Sequence, residues 1–437
     1  MSHSRFARIS LMVAALGLTA PVVLTSAHAQ SKPAAAPAAD APKPDTVRPE
    51  LFKLLDPNMI KDLMTAKKYP EVQEKITAAE AFPNRTPYEN YVIDRMKLAL
   101  GSATQNDAMA MSSLESIIAS KRLPPKEQNE FVLALANYHY NRKEYPKAIE
   151  LFKRYQAEGD NPLRVRNAII RAQYLSGDYA SAKTGLLEVV AENDKAGKAP
   201  EMEDLRLLAS SGAKLKDVPT YTMATERLVA YYPTDDYWTD LLHRMASKPT
   251  FDEKLQLDVW RLEMQAQSVL APEEYTELGE LALLAGYPTE AKKALDAGFT
   301  ANVLGTGTSA AKHKQLRDKA NKGAADDAKN IGTGEANAIK AKDGLPLVNL
   351  GFAYVTMDQF DKGIPLMEQG IAKGVAKRPQ EAKLHLGIAY AKAGRKADAI
   401  KVFEGIKGED GIGDLARYWM LWLNRPATPS AAAAAAK

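Results

Sequence analysis

Apolar residues recur at spacings of three and four along most of the chain, from about residue 51 to residue 425. This spacing places apolar side chains on one face of a helix, whereas a half-buried strand would show strict alternation, which we do not find. Glycine and proline fall between the apolar segments, where they commonly end and begin helices. The pattern therefore predicts an all-α protein built from consecutive amphipathic helices.

These helical segments also repeat. Three positions of the segment NYHYNRKEYPKAIELFKRY return thirty-four residues later: Tyr145, Ala148 and Phe152 as Tyr179, Ala182 and Leu186. Similar patterns follow at Leu278–Leu295, Leu350–Phe360 and Leu386–Phe403, with a degenerate copy at Tyr221–Leu228. A period of this length is typical of repeat proteins, in which each helix pair buries its apolar face only by stacking on its neighbours.

Each repeated position has a physical reason. A small residue in the first helix lets the paired helix approach closely: Ala136, Gly279, Gly351 and Gly387. Glycine just after that helix suits a left-handed backbone: Gly177, Gly286 and Gly394. Small residues lie where the second helix crosses the first: Ala148, Ala182, Ala291 and Ala399. Large residues are expected to fill the gap to the next repeat: Phe152, Leu186, Leu295 and Phe403.

By these positions the chain resembles the tetratricopeptide repeat family. The clear copies cover residues 130–190, 205–235, 272–300 and 344–406. The resemblance implies an α-solenoid, a superhelix of antiparallel helix hairpins whose concave face binds other proteins. It also implies a scaffold rather than an enzyme.

The remaining segments complete the expected organisation. Residues 51–128 read as divergent helical repeats, and residues 303–343 as a polar, Ala- and Lys-rich insertion that is either helical or partly disordered. The apolar segment LARYWMLWL is expected to seal the last repeat with Trp419 and Trp422. The predicted boundaries are 1–29 signal peptide, 30–50 Ala/Pro-rich linker, 51–128 divergent repeats, 129–302 repeats, 303–343 insertion, 344–425 C-terminal repeats and capping helix, and 426–437 disordered tail.

The N-terminus has the features of a bacterial export signal. Arg5 and Arg8 precede an apolar run from Ile9 to Leu24, and Ala27-His28-Ala29 supplies a small-x-small cleavage pattern. We therefore expect a periplasmic protein that begins at Gln30, with an uncleaved membrane anchor as the alternative. No later stretch of the sequence is long and apolar enough to span a bilayer.

Charge and cysteine content narrow the possible partners. The formal net charge is +4, and removal of the two leader arginines leaves +2. Such a balance creates no strong field for nucleic acid, so we expect protein partners of the bacterial envelope. The chain has no cysteine, which removes disulfides and thiolate chemistry from consideration.

The sequence offers little of the chemistry that catalysis or metal binding needs. Four histidines follow the leader, at positions His139, His243, His313 and His385. No two are within four residues of each other, so no helical pair of metal ligands exists. His139 and His385 are expected to be packing or surface residues. The stretch from Gly305 to Lys312 lacks the spacing of a phosphate loop and reads as a linker. We therefore predict no catalytic residue, no metal site and no cofactor.

The concave face supplies the candidate binding residues. The family register places a set of polar and aromatic side chains there: Asn137, Tyr140, Asn141, Asn167, Arg171 and Tyr174. Asparagine and arginine can bind a peptide backbone or a carboxylate, and tyrosine adds apolar area. An ordinary polar surface is the alternative interpretation. Further along, Val348, Phe352 and Val355 predict an apolar groove for a partner's helix.

A second resemblance concerns the whole layout. The leader, the degenerate N-terminal helices, Tyr232-Pro233 with Tyr237-Trp238, and the Trp-containing last helix are similar to exported repeat proteins associated with TonB systems. That resemblance implies assistance to envelope transport. The alternatives are a self-associating structural protein and the helical part of a cell-wall-modifying system. An enzyme of that kind needs a catalytic lobe with a glutamate, for which the sequence shows no candidate segment.

Overall fold

The computed structural model describes residues 45–425, and all regular structure in that range is helical. The predicted all-α solenoid is therefore confirmed for the described residues. The expected leader, residues 30–44 of the expected linker and the tail at 426–437 lie outside them. The first helix begins at Pro49, just before the boundary expected at residue 51. The described residues fall into two compact units, 45–185 and 186–425.

The first unit contains eight complete α-helices in its described part. They are α1 Pro49–Leu54, α2 Pro57–Thr65, α3 Tyr69–Glu80, α4 Pro87–Thr104, α5 Asp107–Ala119, α6 Pro125–Asn141, α7 Tyr145–Glu158 and α8 Arg166–Leu175. A 3₁₀ turn at Pro162–Val165 precedes α8, and helix α9, Tyr179–Lys195, crosses the boundary between the units. Neighbouring helices pair as hairpins around one apolar core that runs from Leu51 to Ile169.

The second unit continues with thirteen α-helices in the described residues. They are α10 Met202–Leu215, α11 Val218–Tyr231, α12 Asp235–Ala246, α13 Gln256–Ala266, α14 Pro272–Leu284, α15 Pro288–Thr300, α16 Ala310–Asn330, α17 Glu335–Lys340, α18 Leu345–Thr356, α19 Phe360–Lys373, α20 Pro379–Lys392, α21 Lys396–Glu404 and α22 Ile412–Asn424. Short 3₁₀ turns lie at Glu253–Leu255 and Ile331–Gly334. None of the helices in the described range has the length and apolar character that a bilayer crossing requires.

Helix starts follow directly from local sequence. Many helices carry proline in their first turn, where its fixed φ suits the helix and its missing N–H costs nothing. Helix α4 adds a capping box, in which the Thr86 hydroxyl accepts from Glu89 N (3.2 Å) and the Glu89 carboxylate accepts from Thr86 N (2.8 Å). The same buried carboxylate accepts from Arg48 Nε at 2.8 Å. The hydrogen bond from Arg48 holds the pKa of Glu89 at about 2, because it favours the charged carboxylate.

The predicted close approach of paired helices is confirmed. A Cβ atom on Gly351 would lie 2.5 Å from the carbonyl oxygen of Gly363 on the facing helix α19. On Gly387 it would lie 2.3 Å from the Phe403 ring, so Phe403 packs on its own hairpin as well as stacking on Trp419 of α22 at 6.1 Å. The C-terminal repeats therefore need glycine at these positions, and Trp419, which is fully buried, closes the last hairpin as predicted.

One repeat reaches the same approach by a different route. The residue of α8 that corresponds to Ala136 is Ile170, which is too large for a close crossing. Gly185 on α9 makes room instead, because a Cβ there would lie 2.8 Å from Ile170 Cγ1. The small residue has moved to the second helix of the hairpin.

The predicted left-handed positions are also confirmed, and they include residues other than glycine. Gly177 has φ of 87°, and Gly394 has 75°. The same place after helices α6 and α18 is occupied by Lys143 (φ 62°) and Asp358 (φ 61°). After α6, Glu144 N donates to His139 O at 2.9 Å, which is the closing bond of a Schellman turn. The turn therefore persists where the glycine signal is missing.

The second unit has a core that sequence order does not suggest. Residues of α12 and α13, such as Trp238, Val259 and Leu262, share one apolar cluster with helices α18 to α22. A separate cluster holds α14 and α15 together with Ala320, the one buried residue of the polar helix α16. Helix α13 thus packs onto the C-terminal repeats, from which the 78 residues between Ala266 and Leu345 separate it.

Candidate binding surfaces

Six of the predicted groove residues lie on the first helices of two consecutive hairpins of the first unit, α6 and α8. We call the set Asn137, Tyr140, Asn141, Asn167, Arg171 and Tyr174 the polar groove. Asn141, Asn167 and Arg171 are exposed, and their side chains form no hydrogen bond or ion pair among the described residues. Asn137 is half-buried, and its amide donates to Leu133 O at 2.9 Å within its own helix.

The two tyrosines of the polar groove repeat one arrangement. Tyr140 meets Tyr145 edge-on at 5.7 Å, and Tyr174 meets Tyr179 edge-on at 5.3 Å. Burial raises the pKa of Tyr140, and the nearby positive charge of Arg171 acts in the opposite direction. Tyr140 and Arg171 are therefore close enough to interact across the two hairpins. The arrangement gives half-buried rings beside a charged group that has no carboxylate partner.

The predicted apolar groove of the C-terminal repeats is not an open surface. Val348, Phe352 and Val355 are each 0% exposed. Arg261 of helix α13 lies over the Phe352 ring, 4.6 Å from its centre. The His385 ring also stacks on the Phe352 ring, with the two centres 4.8 Å apart. We therefore correct the assignment of Phe352, which belongs to the core. The apolar pattern was correct for burial but did not reveal that another helix of the same unit covers it.

A buried ionic network accompanies that covering helix. Arg261 donates from Nη1 to Asp258 at 2.8 Å and from Nη2 to Glu290 at 2.7 Å. His385 Nε2 lies 3.1 Å from Asp258 Oδ1. Burial alone would raise the carboxyl pKa values, but the charges of His385 and Arg261 lower the pKa of Asp258, and Arg261 and Lys392 lower that of Glu290. The network is satisfied internally and offers no free group for a ligand.

A second concave surface lies in the second unit, between the α10–α11 turn and helix α12. Its volume is about 990 Å³. Its main charged groups are already paired: the Tyr221 hydroxyl donates to Asp240 at 2.6 Å, and Arg244 donates to Asp240 at 2.8 Å. The Arg244 guanidinium also lies 3.8 Å from the centre of the Tyr221 ring. This groove is large, but its main charged groups bond to one another and not to a ligand.

Beside this groove, one histidine and two glutamates from three helices face one another. His243 Nε2 lies 3.8 Å from Glu263 Oε1 and 3.9 Å from Glu274 Oε1. Glu263 is completely buried, and its Oε2 has no hydrogen-bond partner. Burial first, and then the Glu274 carboxylate, raise the pKa of Glu263 to about 8. No sequence motif points to this group, because its members are far apart in the chain.

The other residues singled out in the sequence have structural roles. His139 is buried with its Nδ1 at 2.7 Å from Glu144 Oε2, and His385 belongs to the network above, so both are packing residues as predicted. The Gly305–Lys312 segment follows helix α15 and leads into α16, with no strand before it in the described chain. Of the aromatic residues that carry the TonB resemblance, Trp238 is buried in the core and Tyr232 donates to Pro200 O at 2.8 Å.

Comparison with known proteins supports the repeat assignment. Residues 348–411 match the family model described as tetratricopeptide repeat. This stretch therefore consists of tetratricopeptide-type repeats, and such repeats indicate a protein-interaction scaffold. Among solved structures, the chain is similar to the crystal structure of yeast Tom70, with 13% sequence identity and a TM-score of 0.23. The alignment covers 86% of this chain and 94% of the Tom70 chain. Because this TM-score is low, the fold assignment rests on the helix hairpins of the chain and not on this similarity. No curated protein matches the sequence.

Proposed function

We propose that this protein is a periplasmic adaptor that holds an extended, acidic segment of another envelope protein in the polar groove of its first unit. The observation that carries the proposal is the exposure of Asn141, Asn167 and Arg171 without intramolecular partners. The groove of the second unit, by contrast, pairs its Tyr221, Asp240 and Arg244 side chains with one another. Unpaired donors beside half-buried tyrosines suit a peptide backbone and a carboxylate.

The export signal predicted from the sequence supports the location, and the near-neutral charge supports a protein partner over nucleic acid. Assistance to TonB-linked transport is the more specific version of the proposal, supported by the layout of leader, aromatic pairs and last helix. The burial of Trp238 gives that aromatic pair a packing role in any case.

Charge reversal tests the groove. Arg171→Glu is expected to weaken capture of the partner at least tenfold, because a repelling carboxylate replaces the free guanidinium. The matched control is Lys153→Glu, the same charge change at an exposed site on the second helix α7. Photo-crosslinking from position 141 in living cells, compared with position 153, identifies the partner and the face together.

Equal crosslinking from both positions, or equal capture by both charge-reversed variants, would refute the polar groove. Localisation is tested separately by osmotic-shock fractionation and by N-terminal sequencing of the released protein. A chain that stays in the cytoplasm with an intact leader would contradict the periplasmic part of the proposal alone.

A further inference from the structure

The cluster of His243, Glu263 and Glu274 has a geometry that ordinary side-chain pairing does not explain. Its helices are α12, α13 and α14, and its three ligand atoms all lie within 4.8 Å of one another. The two distances from the imidazole, 3.8 and 3.9 Å, are too long for hydrogen bonds. The side chains therefore converge on a common point without bonding to each other.

The missing component is a positive charge. No lysine or arginine of the described residues pairs with either glutamate, while Glu263 Oε2 is buried without a hydrogen-bond partner. Gln267 donates to Glu263 Oε1, but no counter-charge reaches this buried carboxylate and its Oε2 lacks a donor, a costly arrangement that indicates an absent ligand. The same unit offers an internal comparison. Asp258, Glu381 and His385 also lie within 4.8 Å of one another, but there His385 Nε2 is 3.1 Å from Asp258, and Arg261 supplies a positive charge 2.8 Å from the same carboxylate.

We propose that His243, Glu263 and Glu274 bind a divalent transition-metal ion, with zinc as the best-fitting representative. Imidazole nitrogen with two carboxylate oxygens is a donor set that suits zinc, whereas magnesium and calcium prefer oxygen alone. Metal–ligand bonds of about 2.0–2.2 Å separate tetrahedral ligands by about 3.4 Å. Binding therefore requires each imidazole–carboxylate distance to shorten by only about 0.5 Å.

Supporting groups already orient the ligands. Glu274 Oε2 accepts from Ala271 N at 2.7 Å in the first turn of α14, which leaves Oε1 for the ion. Gln267 donates to Glu263 Oε1 and also to Thr239 at 2.8 Å. Hydrogen bonds that hold the ligand side chains in this way fix the geometry of natural metal sites. His243 is exposed and borders the 990 Å³ groove, so the ion can enter from solvent and retains an open coordination position.

The test is zinc binding by the full chain, measured by isothermal titration with Zn²⁺ alone. One strong site is expected, and His243→Ala and Glu263→Gln should each weaken it at least tenfold. Glu273→Gln is the matched control, because it removes the same charge from the neighbouring exposed position of α14, and it should change the affinity less than about twofold. Cobalt in place of zinc should give visible d–d absorption that His243→Ala abolishes.

Folding is controlled by circular dichroism of each variant without metal. His243 is on the surface, so His243→Ala remains a valid test even if Glu263→Gln fails to fold. Absence of a strong site in the parent chain, or a site that survives His243→Ala unchanged, would overturn the proposal. So would equal loss of affinity in Glu273→Gln.

Discussion

Helices α6 and α18 hold the same position in their repeats but present their inner faces differently. Aligning Ala136 with Gly351 makes Asn141 correspond to Thr356, the last residue of each helix. Asn141 is exposed with a free amide, whereas Thr356 is 3% exposed and covered within its own unit. Repeat pattern therefore specifies the hairpin, and long-range packing decides whether its inner face can bind anything.

The largest loss of stability should come from removing the buried Arg261 side chain of the covering helix α13. Arg261→Leu leaves Asp258 and Glu290 buried without their main counter-charge, so we expect a loss of about 3–5 kcal/mol in the free energy of unfolding. Denaturant unfolding measures it. Arg154→Leu, which breaks an exposed pair with Glu158, should cost less than about 1 kcal/mol. A similar small loss for both variants would show that the network does not hold α13.

Close helix approach should give the next largest effect. In Gly351→Ala the new Cβ meets a backbone oxygen at 2.5 Å, which cannot move alone, so we expect a loss of about 1–3 kcal/mol. In Gly279→Ala the Cβ meets the Leu295 side chain at 3.0 Å, which can shift, and the gain in helix propensity offsets the strain. That variant should change the stability by less than about 1 kcal/mol, and the reverse order in thermal unfolding would contradict the packing described here.

The first unit should respond to acid through Glu89. The pKa of Glu89 is about 2 in the folded protein against an ordinary 4.5, so the folded state binds this proton less tightly than the unfolded chain. The resulting stability is present above pH 4.5 and is lost as the pH falls through 4.5 toward 2. The difference in unfolding free energy between the parent and Glu89→Gln should therefore shrink over that range. A constant difference would contradict the role of the Arg48–Glu89 pair.

The smallest effect concerns the left-handed residue after α6. Lys143→Gly removes the strain of φ 62° on a residue with a Cβ, so a gain of less than about 1 kcal/mol is expected. Lys147→Gly, inside helix α7, should instead lose about 1 kcal/mol. If both changes destabilise the chain equally in thermal melts, the left-handed backbone at Lys143 is not strained, contrary to this prediction.

Much of the fold could be predicted from sequence because its signals are local. Small residues at Gly351 and Gly387, and glycine at Gly177 and Gly394, act within one hairpin, and the structure confirms each of them. The exceptions have local explanations too, such as the exchange of roles between Ile170 and Gly185. Neither this exchange nor the lysine at position 143 alters the hairpin in which it occurs.

The candidate sites were less predictable because they depend on contacts between distant segments. Phe352 reads as an apolar groove residue until Arg261, about ninety positions earlier, is placed over its ring. The zinc cluster joins His243, Glu263 and Glu274, whose spacing matches no metal motif. By contrast, the polar groove could be proposed from the register alone, since its residues belong to adjacent repeats.

The most direct test of the difference between the two inner faces uses the absence of cysteine in the chain. Single-cysteine variants Asn141→Cys and Thr356→Cys place one thiol at the same repeat position in each unit. We expect the thiol at 141 to react with a maleimide as fast as in the unfolded chain, and the thiol at 356 to react on the order of a hundredfold more slowly, because labelling there requires local opening. Equal labelling rates at the two positions would contradict the account.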